Sequence, residues 1–196
     1  MNVTEEQRFS DEDWYGEELD GRTYTKCSFS EIDMTEVVNS GSTFEDCTFG
    51  NVKFNASRHA SAAFINCTFK RCNLFDAEFD GCKLVGSVFK ECTMRPLRVR
   101  GGDWSFTDLS SLDLRNVEFR DVRMRETDLT AANCEKADFV SVDLASAQLD
   151  RIRLAGADLR GSDLSALNPY TAEVKGAIIG VEQAMTIARS IGFDIR

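Results

Sequence analysis

The sequence predicts an all-β solenoid built from five-residue sides, followed by a short C-terminal α-helix. Three observations predict it. Bulky apolar residues fall at every fifth position, from Trp14, Leu19, Tyr24, Phe29 and Met34 to Leu154, Leu159 and Leu164, with polar residues only at Asn39 and His59. Two positions before these centres stands a second beat of small or slender residues, among them Cys27, Ile32, Val37, Ser42, Cys47 and Val52. Finally, the cysteines recur at one interval, four fives long, from Cys27 to Cys47 to Cys67 and again from Cys72 to Cys92.

A period of five fits neither a helix nor a strand, so the chain is a repeat architecture. Two residues in each five point inward, one bulky and one small. If four corners close one coil, residues separated by four fives stack on the same side. Grouping the centres this way gives four columns. One reads Phe29, Phe49, Phe69, Phe89, Leu109, Leu129, Leu149, and another begins Tyr24, Phe44, Phe64, Leu84. Asn39 and His59 become stacked neighbours. That is how two buried polar groups would satisfy each other, since either one alone would be costly. Met94-Arg95-Pro96 interrupts an otherwise smooth coil, because proline cannot donate a ladder hydrogen bond.

From Asn168 the beat fails. "GVEQAMTIARSIGF" reads as about three helical turns with Val181, Ala184, Ile187, Ala188 and Ile191 on one face. Gly192 suits a left-handed cap with Phe193 packed behind it. The expected organisation is a repeat domain over residues 1–168 and a capping and dimerising tail over residues 169–196. A short helix with one apolar stripe needs a partner surface, either the open end of the coil or a second copy of the chain. Val181, Ala184, Ile187, Ala188, Ile191 and Phe193 are the expected dimer contacts.

The net charge is −10, unevenly spread. Residues 1–20 carry eight acids and one base, residues 21–100 nine and eleven, and residues 101–168 thirteen and eight. Both ends of the repeat are acidic and the middle is not. In the second half Asp103, Asp108, Asp113, Glu118, Asp128, Asp138, Asp143, Asp158 and Asp163 all stand immediately before a centre. Asp in that slot can bond the turn backbone or form an acidic partner-binding face.

The cysteines sit at inward positions without metal-ligand spacing, so reduced buried thiols in a cytoplasmic protein are expected. The acidic, apolar-poor N-terminus does not read as a signal peptide, and no apolar run approaches the length of a membrane-spanning helix. One inward histidine and scattered carboxylates support no enzyme and no cofactor. The cluster Arg95, Arg98, Arg100 is too small for a nucleic-acid stripe.

The units "CTFKR", "AEFDG", "TDLTA", "ADFVS", "VDLAS", "ADLRG" and "SDLSA" resemble the pentapeptide repeat family over roughly residues 9 to 168. That resemblance implies a right-handed quadrilateral β-helix, here of about eight coils. The unbroken register, "GSVFKECTMRPL", "DLRGSDL" and "VEQAMTIARSIG" are similar to the MfpA branch, actinobacterial relatives of the Qnr quinolone-resistance proteins. The resemblance implies a homodimer joined at its C-terminal ends that imitates DNA, binds and inhibits DNA gyrase, with topoisomerase IV as a related target, and is linked to fluoroquinolone resistance. It implies no direct nucleic-acid or membrane binding. Duplex DNA would carry about 24 charges over a rod of about 40 Å, so a chain of net −10 is a partial mimic.

Overall fold

The computed structural model describes residues 3–196. It is a parallel β-solenoid of about seven turns with one short C-terminal helix. The expected count of about eight coils is thus one too many. Every ladder pairs residue i with residue i+20, as in Phe29 with Phe49 and Phe69 with Phe89.

Four faces follow one another along the chain. Face 1 carries Val3–Glu5, Thr23–Thr25, Thr43–Glu45 and Ala63–Ile65. Face 2 carries Arg8–Ser10, Ser28–Ser30, Thr48–Gly50, Thr68–Lys70 and Val88–Lys90. Face 3 is held by single bridges, from Asp13 through Asp33, Lys53 and Asn73 to Thr93, and again from Asp113 through Asn133 and Arg153 to Glu173. Face 4 has seven strands, from Glu18–Asp20 to Asp138–Val140.

The corners follow from backbone sterics. The residue two after a centre takes a left-handed conformation almost throughout, for example Asp11 (φ 56°), Glu31 (56°), Asn51 (54°) and Arg71 (53°), Pro96 being an exception. One glycine has a packing reason as well. Gly102 occupies an inward slot at φ +86°, and a Cβ there would collide with the Cys82 backbone.

The core is the predicted set of columns. Phe29, Phe49, Phe69, Phe44 and Phe64 are each 1% exposed and Phe89 is 2% exposed. Rings of Phe9, Phe29, Phe49, Phe69 and Phe89 stack at 5.0, 4.9, 4.8 and 4.5 Å, the spacing of neighbouring strands. Adjacent columns meet edge to face, as in Phe29 against Phe44 at 5.8 Å. Burying each such ring stabilises by about 1.5–3 kcal/mol.

Asn39 and His59 pair as expected, within a longer network. Ser42 N–H donates to Asn39 Oδ1 (3.3 Å), and Asn39 Nδ2 lies 3.1 Å from His59 Nδ1. His59 Nε2 lies 3.0 Å from Ser57 Oγ, whose hydroxyl donates to the Phe54 carbonyl at 2.7 Å. Every donor finds an acceptor only if the imidazole is neutral with its proton on Nε2. Burial pushes the His59 pKa down to about 3, consistent with that form.

The helix is Val181–Ser190. Gly192 N–H donates to Arg189 O and Phe193 N–H to Ala188 O, both at 3.0 Å, with Gly192 at φ +98°. This is the left-handed cap expected there. The orientation differs from the stripe expectation. The one buried helical residue is Gln183. Its side-chain amide donates to the carbonyls of Leu159 (2.5 Å) and Ser162 (2.9 Å), and its Oε1 accepts from Gly180 N–H (2.6 Å). A glutamine thus closes carbonyls of the last coil, because an uncovered ladder end needs donors more than it needs apolar cover. Of the stripe, Ile187 packs against the core, whereas Val181 is 79% exposed. Phe193 does not pack behind its cap and is 64% exposed.

Candidate functional site: the acidic surface and the C-terminal end

Seven of the nine predicted acids cap a turn. Asp103, Asp108, Asp113, Asp128, Asp143, Asp158 and Asp163 each accept the backbone N–H two residues on, at 3.0, 3.0, 3.3, 2.8, 3.2, 3.1 and 2.8 Å. The slot before a centre sits where such a bond closes the corner, which explains why aspartate recurs there. Glu118 and Asp138 lie in strands instead.

Stacking puts Glu118, Asp138 and Asp158 on face 4, Asp108 and Asp128 on face 2, and Asp103 and Asp143 flanking Arg123 on face 1. They are not, however, a bare acidic face. Arg95 (3.0 Å) and Arg115 (2.8 Å) both pair with Asp113. Arg120 bridges Glu118 (2.9 Å) and Asp138 (2.5 Å), and Arg100 also reaches Glu118. Arg125 pairs with Asp143 and Arg160 with Asp158, both at 2.6 Å, and Arg123 lies 3.6 Å from Asp103. The Arg115 hydrogen bond holds Asp113 below the usual carboxylate range, and Arg160 does the same for Asp158. Burial raises Asp143, but the Arg125 hydrogen bond, the Ala145 N–H and the charges of Arg125 and Arg123 together outweigh it, and the net shift is downward. Among the described residues, Asp108, Asp128 and Asp163 are the members of the set without a basic partner.

The unneutralised charge is concentrated elsewhere. Glu5, Glu6, Asp11, Glu12, Asp13, Glu17, Glu18 and Asp20 occupy the first coil, and none forms an ion pair among the described residues. Counting charge by segment found this tip; in residues 101–168 the excess of acids over bases stands, but much of it is paired. There most of the aspartates have an arginine two positions along or one coil away. Once the coil-on-coil stacking is applied, those partners can be read from the sequence too.

At the opposite end lies an exposed apolar set. Tyr170 is 81% exposed, Ile178 49%, and Val181 and Phe193 stand out beside Ile191 and Ile195. Of the expected dimer residues, Val181, Ala184, Ile191 and Phe193 are solvent-facing, whereas Ile187 and Ala188 are half-buried. Tyr170 and Ile178, outside the helix, widen this exposed apolar set. No group of three His, Cys, Asp or Glu that could hold a metal ion occurs among the described residues. Among the described residues no helix is long and apolar enough to cross a membrane.

These features define a parallel β-solenoid of five-residue repeats. Residues 72–149 match the model of the pentapeptide repeat region, and residues 137–168 that of pentapeptide repeats in eight copies. Among solved structures, the chain is similar to a trypsin-treated variant of QnrB1, a plasmid-mediated fluoroquinolone resistance protein. The TM-score is 0.89 at 17% identity, covering 100% of this chain and 98% of that one. It is also similar to HetL of the cyanobacterium Nostoc, a pentapeptide repeat protein involved in heterocyst differentiation regulation (TM-score 0.64, 16% identity, 90% and 84% covered). At these identities the likeness is one of fold. No curated protein matches by sequence.

Proposed function

We infer that this chain is a non-enzymatic, cytoplasmic gyrase-binding protein of the MfpA/Qnr kind, a partial DNA mimic that inhibits DNA gyrase and shields it from fluoroquinolones. The observation that carries this is the match to QnrB1, a fluoroquinolone resistance protein, over the whole of both chains. The constant i to i+20 register, without an inserted loop, fits the loop-free MfpA branch. The rod's free carboxylates, at the first coil and at Asp108 and Asp128, supply negative charge for a DNA-binding groove. The apolar C-terminal end supports a homodimer that places the acidic first coils at the outer tips. Val181→Lys with Phe193→Lys should then halve the mass in light scattering without lowering the melting temperature.

A scaffold for a different protein is the second reading, favoured by the arginine neutralisation of Asp113, Glu118, Asp138, Asp143 and Asp158. A supercoiling assay with bacterial gyrase, titrating this protein with and without ciprofloxacin, separates the two. Inhibition without drug and fewer drug-induced cleaved complexes support the mimic. An inert, well-folded sample supports the scaffold.

A further inference from the structure

All seven cysteines are free, and Cys92 alone is not buried. The reason is local. The face 3 ladder reaches Thr93 and resumes only at Asp113 with Asn133. Between them stand Arg95 and Pro96, and proline has no N–H to give to a ladder. The coil above therefore does not close over the Cys92 turn. A shallow cavity of about 340 Å³ opens there, lined by Thr93, Arg95, Pro96, Arg115 and Asn116.

Directly beneath Cys92 lies Cys72. Asn73 is the ladder partner of Thr93, and Thr93 N–H donates to the Cys72 carbonyl at 3.0 Å, so the cysteines are in register on neighbouring coils. Partners on adjacent strands have Cα atoms about 4.8 Å apart, inside the ~4.4–6.8 Å window for a disulfide. Both thiols point into the same stack: Cys72 Sγ to the Phe49 carbonyl at 3.3 Å, Cys92 Sγ to the Phe69 carbonyl at 3.5 Å.

The geometry points to Cys92 as a peroxide-sensitive thiol and Cys72 as its resolving partner, joined on oxidation by a disulfide between successive coils. The Cys92 thiolate attacks one oxygen of hydrogen peroxide. The O–O bond breaks, the departing hydroxide takes up a proton and leaves as water, and Cys92 becomes a sulfenic acid. The Cys72 sulfur then attacks the sulfenic sulfur. The S–O bond breaks, and the hydroxyl leaves as water with the Cys72 proton. Two thiols and one peroxide yield one disulfide and two waters. The acidities run the required way. The hydrogen bond between the two thiols holds Cys92 below the usual thiol range and raises Cys72, and burial raises Cys72 further.

The molecule contains its own control. Cys47 and Cys67 likewise stand one coil apart in one inward column, and both are buried, at 1% and 0% exposed. They have the pairing and lack the access. Serine is tolerated in the same slot. Ser87 donates to the Phe64 carbonyl (2.8 Å) and Ser162 to that of Phe139 (2.7 Å), the bond that each of these thiols makes. Cys92→Ser and Cys72→Ser should therefore fold.

The test is graded hydrogen peroxide on the full chain, with dimedone trapping and tandem mass spectrometry under non-reducing conditions. Intact protein should lose two hydrogens and show a Cys72–Cys92 cross-link. Cys72→Ser should instead trap dimedone at Cys92, at least tenfold faster than any other cysteine. Cys92→Ser should show neither product. Equal reaction of all seven cysteines, a Cys47–Cys67 link forming first, or sulfinic acid at Cys92 without a link in folded wild type would overturn the assignment.

Discussion

Residues 3–100 and residues 101–168 keep the same five-residue beat and satisfy it with different chemistry. In the first part the centres are mostly aromatic and three faces carry true strands. In the second the centres are mostly leucine, and strands persist only on face 4, at Glu118–Arg120 and Asp138–Val140. The capping aspartates account for the difference. In the first part the slot before a centre caps a turn only at Asp13, Asp33 and Asn73, all on face 3, the face without strands there. In the second part that bond appears on every face, and the local backbone turns rather than extends. The coil can therefore be held by stacked rings and extended ladders or by capped turns. The second means places carboxylates on the surface and, with them, the arginines that pair them.

The largest effect expected is from Phe69→Arg, which puts a charge in the middle of the stack and should abolish the cooperative thermal transition. Next, Phe49→Ala should cost about 3–5 kcal/mol and Leu129→Ala about 2–3 kcal/mol in urea unfolding. Equal costs would mean the ring stack adds nothing beyond ordinary burial.

The His59 network gives a third, pH-dependent contrast confined to the first part. The folded pKa is about 3, below the ordinary value near 6.5. Below pH 6.5 the unfolded chain takes up a proton that the folded chain refuses. This contribution is thus intact above pH 6.5 and is lost as pH falls toward 3. Stability should drop by roughly 2–3 kcal/mol between pH 7 and pH 4.5, with the carboxylates adding to the loss at the lower end of that window. Asn39→Phe with His59→Phe, which continues the aromatic column to Phe79, should flatten that slope. A slope unchanged in the double variant would place its origin elsewhere.

The smallest effect separates the two roles of a surface aspartate. Asp143→Asn keeps an acceptor for the Ala145 N–H and loses the Arg125 charge pair, so it should cost about 0.5 kcal/mol. Asp143→Ala loses both and should cost about 1–1.5 kcal/mol. A reversed order would make the ion pair, not the turn cap, the structural contribution.

Most of the fold was legible because the repeat shows its own geometry. The period gave the sides, the cysteine spacing gave the coil, and the two polar centres gave the buried network. The helix and its Gly192 cap were also visible. Its orientation was not, because Gln183 turns inward to meet carbonyls that exist only once the last coil has formed. The Met94-Arg95-Pro96 segment stood out as a break, but its consequence, access to Cys92, depends on which coil lies above it. The spacing assigns each acidic residue to a column, but which of them are paired depends largely on neighbours from the next coil.

The most direct test of the central claim is the affinity of the intact chain for purified DNA gyrase at about 50 and 200 mM salt. The account predicts measurable binding that weakens steeply at the higher salt, and further when Asp108 and Asp128 are both changed to lysine. No binding by folded protein, or binding indifferent to salt and to those two charges, would contradict it.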